Sequence, residues 1–237
     1  MDLNYLNCVI CEITKKTFEV IKRVYDHHNE YVDSQKKPET TNDMTSSDVG
    51  SRIIFPQYHI HKEEEEKRKD YNRISEQELR FIFVEQFYAY INNDENKKKS
   101  PELINLYYSV ETPTEKKYIF SKDKDSPKVV DENDNDNNKG VSARTDLTIY
   151  EKEGDKFTRK ALIEFKALNP VIKNYEKDFC KLNNEEKTLI KYFIQIIKNY
   201  DKGTLESIKD KIKSKTDNIN YKCYCLDSGE DITRKIL

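Results

Sequence analysis

The segment Ala161-Leu162-Ile163-Glu164-Phe165-Lys166-Ala167 sets a carboxylate and an ammonium inside an otherwise apolar run. In an extended strand, period-two alternation turns Glu164 and Lys166 to one face, ~7 Å apart, and Ile163 and Phe165 to the other. Charged groups in such a strand are costly unless they are paired or used. Just upstream, Ala143–Glu151 alternates in the same way, with Leu147 and Ile149 on one face and Asp146, Thr148 and Tyr150 on the other. Glu153-Gly154-Asp155 reads as a turn, so antiparallel pairing of the two strands brings Asp146 beside Glu164. Two converging carboxylates make a hard-oxygen site suited to Mg²⁺ or Mn²⁺, and the backbone carbonyl of Phe165 offers one more oxygen. A neighbouring lysine, its pKa depressed by the site, can orient or deprotonate a water, or stabilise charge as a phosphodiester is hydrolysed.

Glu-x-Lys spacing alone carries little weight in this chain. It recurs at Glu65-Lys67, Glu95-Lys97, Glu115-Lys117 and Glu185-Lys187, because Lys and Glu are abundant. Only Glu164-Lys166 lies within a β-patterned apolar run with an Asp-bearing strand ahead of it. The plain structural alternative is a cross-strand salt bridge on an exposed sheet.

The elements that must position these residues follow from hydrophobic periodicity. Residues 5–31 read as an amphipathic helix with Leu6, Val9, Ile10, Ile13, Val20, Ile21 and Val24 on one face. A polar linker covers 33–51, a short strand 52–60 and a solvated charge run 63–70. Ser75 and Glu78 have capping-box spacing and open a helix whose buried stripe is Leu79, Ile82, Phe83, Phe87, Tyr90 and Ile91. Two strands, 103–110 and 116–120, are separated by Glu111-Thr112-Pro113-Thr114, and 121–140 is a polar loop. After the strands 143–151 and 160–168, helical patterns cover 175–182, 184–200 and 204–213, followed by a strand at 219–226 and a polar tail. The order predicts a mixed α/β or α+β fold.

Residues 142–149, Ser-Ala-Arg-Thr-Asp-Leu-Thr-Ile, together with 162–167, Leu-Ile-Glu-Phe-Lys-Ala, resemble the PD-(D/E)xK, or restriction-endonuclease-like, nuclease superfamily. Thr145 stands where that pattern has a proline. The resemblance implies an αβββαβ core over about 75–226, a central mixed sheet flanked by helices, and Mg²⁺-dependent cleavage of DNA or, less often, RNA. On this division 1–51 is an N-terminal helical extension with its linker, and 52–237 the nuclease-like domain. The resemblance also implies a further Glu on the first core helix, with Glu78 preferred and Glu85 the alternative. Lys173, Lys177 and Lys181 recur every four residues on the helix after the motif, a stripe that either holds phosphates or is a solvated face. A compact enzyme of this kind suits restriction or anti-phage defence, and a homodimer suits the cutting of two strands, with the N-terminal helix available to mediate it. The rival expectation is a catalytically silent scaffold that binds nucleic acid or a protein partner.

Composition bounds these expectations. Charged residues make up 36% and apolar residues 35% of the 237, while the formal charge is −2. Contact with nucleic acid therefore has to come from a local patch. No run of about 18 apolar residues exists for a membrane span, and the N-terminus lacks a signal-peptide pattern. Five cysteines, an odd number, read as free thiols in a reducing cytoplasm. Cys8 and Cys11 with Cys223 and Cys225 could supply four zinc ligands, but neither pair has knuckle context. His59 and His61 would share a face if strand-borne, as ligands or cleft lining, and His27-His28 reads as helix surface. The acidic loop 131–140 fails the calcium-loop pattern, its Gly140 falling one position late from Asp134. There is no Gly-rich nucleotide loop or serine nucleophile elbow.

Overall fold

The computed structural model describes residues 1–34, 50–51, 53, 74–119, 128–130, 140–168, 172–213 and 215–237, with 27–34, 128 and 173 described in backbone only. The expected strand at 52–60, the charge run 63–70, His59 and His61 lie outside the described residues, as do the side chains of His27 and His28. So do most of the 33–51 linker and nearly all of the 121–140 loop.

Helix α1 spans Leu3–Ser34. Helix α2, Glu76–Asn92, starts at the expected capping box: Ser75 takes the N-cap and its N–H donates to Glu78 at 2.9 Å. A short helix α3, Asp94–Lys99, and a 3₁₀ turn at Pro101–Asn105 lead into strand β1, Leu106–Ile119. Then come β2 (Lys128–Val129), β3 (Val141–Glu153), β4 (Lys156–Ala167), α4 (Ile172–Asn184) and β5 (Ile190–Ile197). The chain ends with α5 (Lys202–Ile212), β6 (Asn220–Cys225), β7 (Glu230–Asp231) and α6 (Thr233–Ile236). The strands form one mixed sheet in the order β2-β1-β3-β4-β5-β6-β7. β1, β3 and β4 pair antiparallel, whereas β4, β5 and β6 run parallel, with α4 and α5 as the intervening helices. The fold is mixed α/β.

Helices cover both faces of the sheet. On one face α1 and α2 pack over Leu147, Ile149, Ile163, Phe165, Ile194 and Tyr224; on the other α4, α5 and α6 pack over Leu162, Phe193, Ile197 and Tyr221. The expected alternation of β4 holds, with Ile163 and Phe165 buried against the α2 side, where Phe83 meets Phe165 edge-on at 5.4 Å. α1 lays its apolar stripe, from Leu6 to Val24, into the same core as the sheet, and Tyr192 Oη donates to Asn7 Oδ1 at 2.8 Å. Its apolar face is thus used internally. Among the described residues no helix is long and apolar enough to cross a membrane.

Three expected elements differ. Residues 190–197 form a strand, not the end of a helix over 184–200. Every residue of this run from Lys191 to Ile197 is buried, because β5 is a central parallel strand covered on both faces; apolar residues then occupy consecutive positions and period two disappears. β1 is one strand where two were expected, passing through Pro113 by way of a register shift between Pro113 and Lys117. Glu111 takes a left-handed φ of 50°, and side chains serve the backbone there: Thr114 Oγ1 accepts from Ala143 N at 2.9 Å and Glu185 from the amides of Glu115 and Lys116. The expected polar tail instead packs Ile232 and Ile236 into the α4–α5 core.

Candidate active site

β3 and β4 pair from Glu153↔Lys156 to Leu147↔Ile163, with one register shift between Ile149 and Tyr150, around a turn in which Gly154 adopts a φ of +60°. Beyond Leu147 a side chain replaces the backbone ladder. Asp146 Oδ2 accepts the Phe165 N–H at 2.8 Å, which fixes the carboxylate at the mouth of the hairpin beside Glu164. In an extended strand a residue's N–H and C=O face the same neighbour, so the Phe165 carbonyl faces this opening too. Glu164 and Lys166 lie on the opposite face of β4 from Phe165, under α4, and are 1% and 7% exposed.

Helix α4 supplies two groups that complete the cluster. Lys166 Nζ lies 2.6 Å from Asp178 Oδ2 and 3.1 Å from Glu76 Oε1 at the start of α2. Lys181 Nζ lies 2.9 Å from Asp178 Oδ1 and 2.7 Å from Glu164 Oε1, and donates to the Arg144 carbonyl at 2.8 Å. Acids and bases thus alternate as Glu76, Lys166, Asp178, Lys181 and Glu164. Alongside, Arg80 of α2 is ion-paired with Glu111 and stands 3.9 Å from Asp146 Oδ1. A cleft of about 490 Å³ exposes this set, with Ser142, Arg144, Asn174 and Lys177 at its walls.

Burial dominates the electrostatics. It pushes the Glu164 carboxyl well above the usual range; Lys181 opposes the rise, and Asp178 and Asp146 add to it. Burial likewise raises Asp146, against the pull of the Phe165 amide and Lys181, and raises Glu76 against the pull of Lys166. For Lys166 burial works the other way, but Asp178 and then Glu76 outweigh it and raise its pKa. The depressed lysine expected from sequence is therefore replaced by a firmly protonated one. Glu164 Oε1 and Asp178 Oδ2 are buried without an aligned hydrogen bond, although an ammonium stands close to each; they are ion-paired off the bonding direction.

The expected residues fall unevenly. Asp146, Glu164 and Lys166 line one cleft. Glu78 does not join them: its carboxylate serves the cap through Ser75 N and Ser75 Oγ. Glu85 instead accepts from Ser51 Oγ at 2.6 Å. The helix carboxylate at the cluster is Glu76, two residues earlier. The expected lysine stripe also divides. Lys181 is 4% exposed with its ammonium among three oxygens, so it does not lie on a solvated face. Lys177 lines the cleft, and the side chain of Lys173 lies outside the described residues. Asp178 had a legible signal that the lysine spacing masked. It shares the stripe Tyr175-Asp178-Phe179-Leu182, all buried, and a charge on a buried stripe demands a partner.

The zinc alternative fails on topology. Alternation along β6 turns Tyr224 toward α1 but Cys223 and Cys225 into the α4–α5 core, so they lie across the sheet from Cys8 and Cys11 of α1. Among the described residues no group of three or more His, Cys, Asp and Glu forms a metal cage. Asp146, Glu164 and the Phe165 carbonyl still form a hard-oxygen set of the sparse kind that suits Mg²⁺, which keeps several waters and takes one or two carboxylates. A buried Glu164 oxygen lacking an aligned hydrogen bond fits such a ligand. Comparison with protein-family models, curated proteins and solved structures returns no significant match.

Proposed function

We propose that the chain is a divalent-metal-dependent nuclease of the PD-(D/E)xK type. The observation that carries this reading is the seating of Asp146 where the β3–β4 ladder opens, bonded to the Phe165 amide next to the buried Glu164, with Lys166 following on the same face. The order α2-β1-β3-β4-α4-β5, three antiparallel strands and then a parallel return, supports an αβββαβ core.

In this reading Asp146, Glu164 and the Phe165 carbonyl hold Mg²⁺ or Mn²⁺. When bound, the ion would polarise the phosphodiester and make a water acidic enough to attack. Lys166, held protonated by Asp178 and Glu76, places positive charge where the scissile phosphate gains negative charge. Glu76, with its raised pKa, half-exposed side chain and contact to Lys166, is the group placed to exchange a proton with the cleft. Arg144, Lys177 and Asn174 on the walls orient the phosphate backbone of DNA or RNA, a local patch as the near-neutral net charge requires.

The test is cleavage of plasmid and oligonucleotide DNA and RNA with Mg²⁺ or Mn²⁺ by the wild type and by Asp146→Ala, Glu164→Ala and Lys166→Ala. Each substitution is expected to lower the rate by about 100-fold or more. Equal cleavage by all four proteins refutes the assignment. The chain of charges from Glu76 to Glu164 needs no added ion to be paired, and that favours a second reading, a nucleic-acid-binding scaffold. Binding without cleavage in every protein would select it.

A further inference from the structure

The ammonium of Lys181 sits where a cation would be expected. Its three nearest oxygens come from two carboxylates and a carbonyl: Glu164 Oε1 at 2.7 Å, Asp178 Oδ1 at 2.9 Å and Arg144 O at 2.8 Å. The Arg144 carbonyl takes a hydrogen bond from it, and the two carboxylates add contacts of charge. Both partner carboxylates are almost wholly buried, at 1% and 5% exposure, and neither can stay ionised there without a counter-charge.

We propose that Lys181 is a built-in stand-in for the divalent ion, and that an ion engages Glu164 only as the Lys181 ammonium withdraws. The inference rests on the proposed role of Asp146 and Glu164 as ion ligands. Competition at Glu164 supports exchange over simultaneous occupancy. Lys181 Nζ already stands 2.7 Å from Glu164 Oε1, and an ion on that oxygen would be within a few ångström of the ammonium, where like charges in a buried site repel. Its off-axis approach to Glu164 makes the contact one of charge more than of directed bonding, and such a contact is readily traded. The side chain also lines the cleft, so its flexible four-carbon stem has somewhere to carry the ammonium. In the resting protein Lys181 therefore supplies the counter-charge of Glu164, and affinity for the ion is reduced by the work of displacing it.

The experiment measures Mn²⁺ binding to the full chain by titration calorimetry, without nucleic acid, for the wild type, Lys181→Met and Glu164→Gln. Methionine keeps the stem and removes the charge. Lys181→Met is expected to bind Mn²⁺ at least tenfold more tightly than the wild type, and to gain more thermal stability from it. Binding by Lys181→Met alone would also support the exchange. Equal or weaker binding by Lys181→Met, with Glu164→Gln abolishing it, overturns the inference and leaves the ligand assignment standing. Wild-type affinity in Glu164→Gln, or no binding in any protein, overturns both. If Lys181→Met folds only with Mn²⁺ present, that supports the inference, since the ion then replaces the missing ammonium. If it folds under neither condition, the wild type decides. Its Lys181 ammonium, followed by ¹⁵N–¹H NMR as Mg²⁺ is added, is expected to lose its protected signal at saturation, and a signal unchanged at saturation overturns the exchange.

Discussion

Replacing Asp178 with asparagine removes the charge shared by Lys166 and Lys181 while keeping the shape of the side chain. Asp178 is 5% exposed and its two lysines 7% and 4%, so water offers little relief to an ammonium left behind. Taking one partner from a buried ion pair costs about 3–5 kcal/mol. Here each lysine keeps a second acid, Glu76 at 3.1 Å for Lys166 and Glu164 at 2.7 Å for Lys181. That places the expected loss near the lower end, about 3 kcal/mol, or ~6–12 °C in Tm for a chain of this size. Urea unfolding followed by circular dichroism gives the free energy and calorimetry the Tm. A cycle with Lys181→Met then isolates the pair, with an expected coupling of ~1–3 kcal/mol. A loss below about 1 kcal/mol, with coupling near zero, would show that the charges are solvated and that helix α4 is not held to β4 by them.

Three further outcomes follow from the same geometry. Gln195 donates to Leu168 O and Tyr175 Oη and accepts from Tyr221 Oη, all within 2.7 Å, so Gln195→Leu leaves buried polar groups unpaired and is expected to cost about 3 kcal/mol by urea unfolding; a cost under ~1 kcal/mol refutes this. In the native protein the exposed Cys8 is expected to react with a thiol reagent within minutes, and the buried Cys223 and Cys225 only on unfolding; early reaction of all five thiols contradicts the packing of β6. Because burial raises the carboxyls of both Asp146 and Glu164, protons compete with an ion there. Mn²⁺ affinity should rise as pH is raised above the ordinary carboxylate range and level off once both groups are ionised, and a flat calorimetric profile refutes this.

The parts of the site that alternate along exposed-to-buried strands were readable from sequence. β4 is the central strand of the sheet and β3 its neighbour, and both carry one polar and one apolar face near the cleft, so Asp146, Glu164 and Lys166 declared their common side. The capping box likewise fixed the start of α2. Its first turn, however, offers two carboxylates, and spacing cannot say that Glu78 turns back to Ser75 while Glu76 reaches across to Lys166. β5 hid itself by being apolar on both faces, since a strand without alternation resembles a helix segment. Lys181 illustrates the limit most plainly. Its four-residue spacing from Lys177 suggested a surface stripe, but it lies at i+3 from Asp178 and follows that residue inward.

The hairpin of β3 and β4 also bears on how the chain reaches this state. Asp146 and Glu164 lie on neighbouring strands joined by a tight turn, so they can meet early in folding, through a short loop closure. The groups that neutralise and cover them, Asp178 and Lys181, belong to the crossover helix and arrive only when β5 returns to pair parallel with β4, a slower non-local event. Until then both carboxylates remain hydrated. Their loss of water and the gain of their counter-charges are therefore tied to one event, the docking of α4.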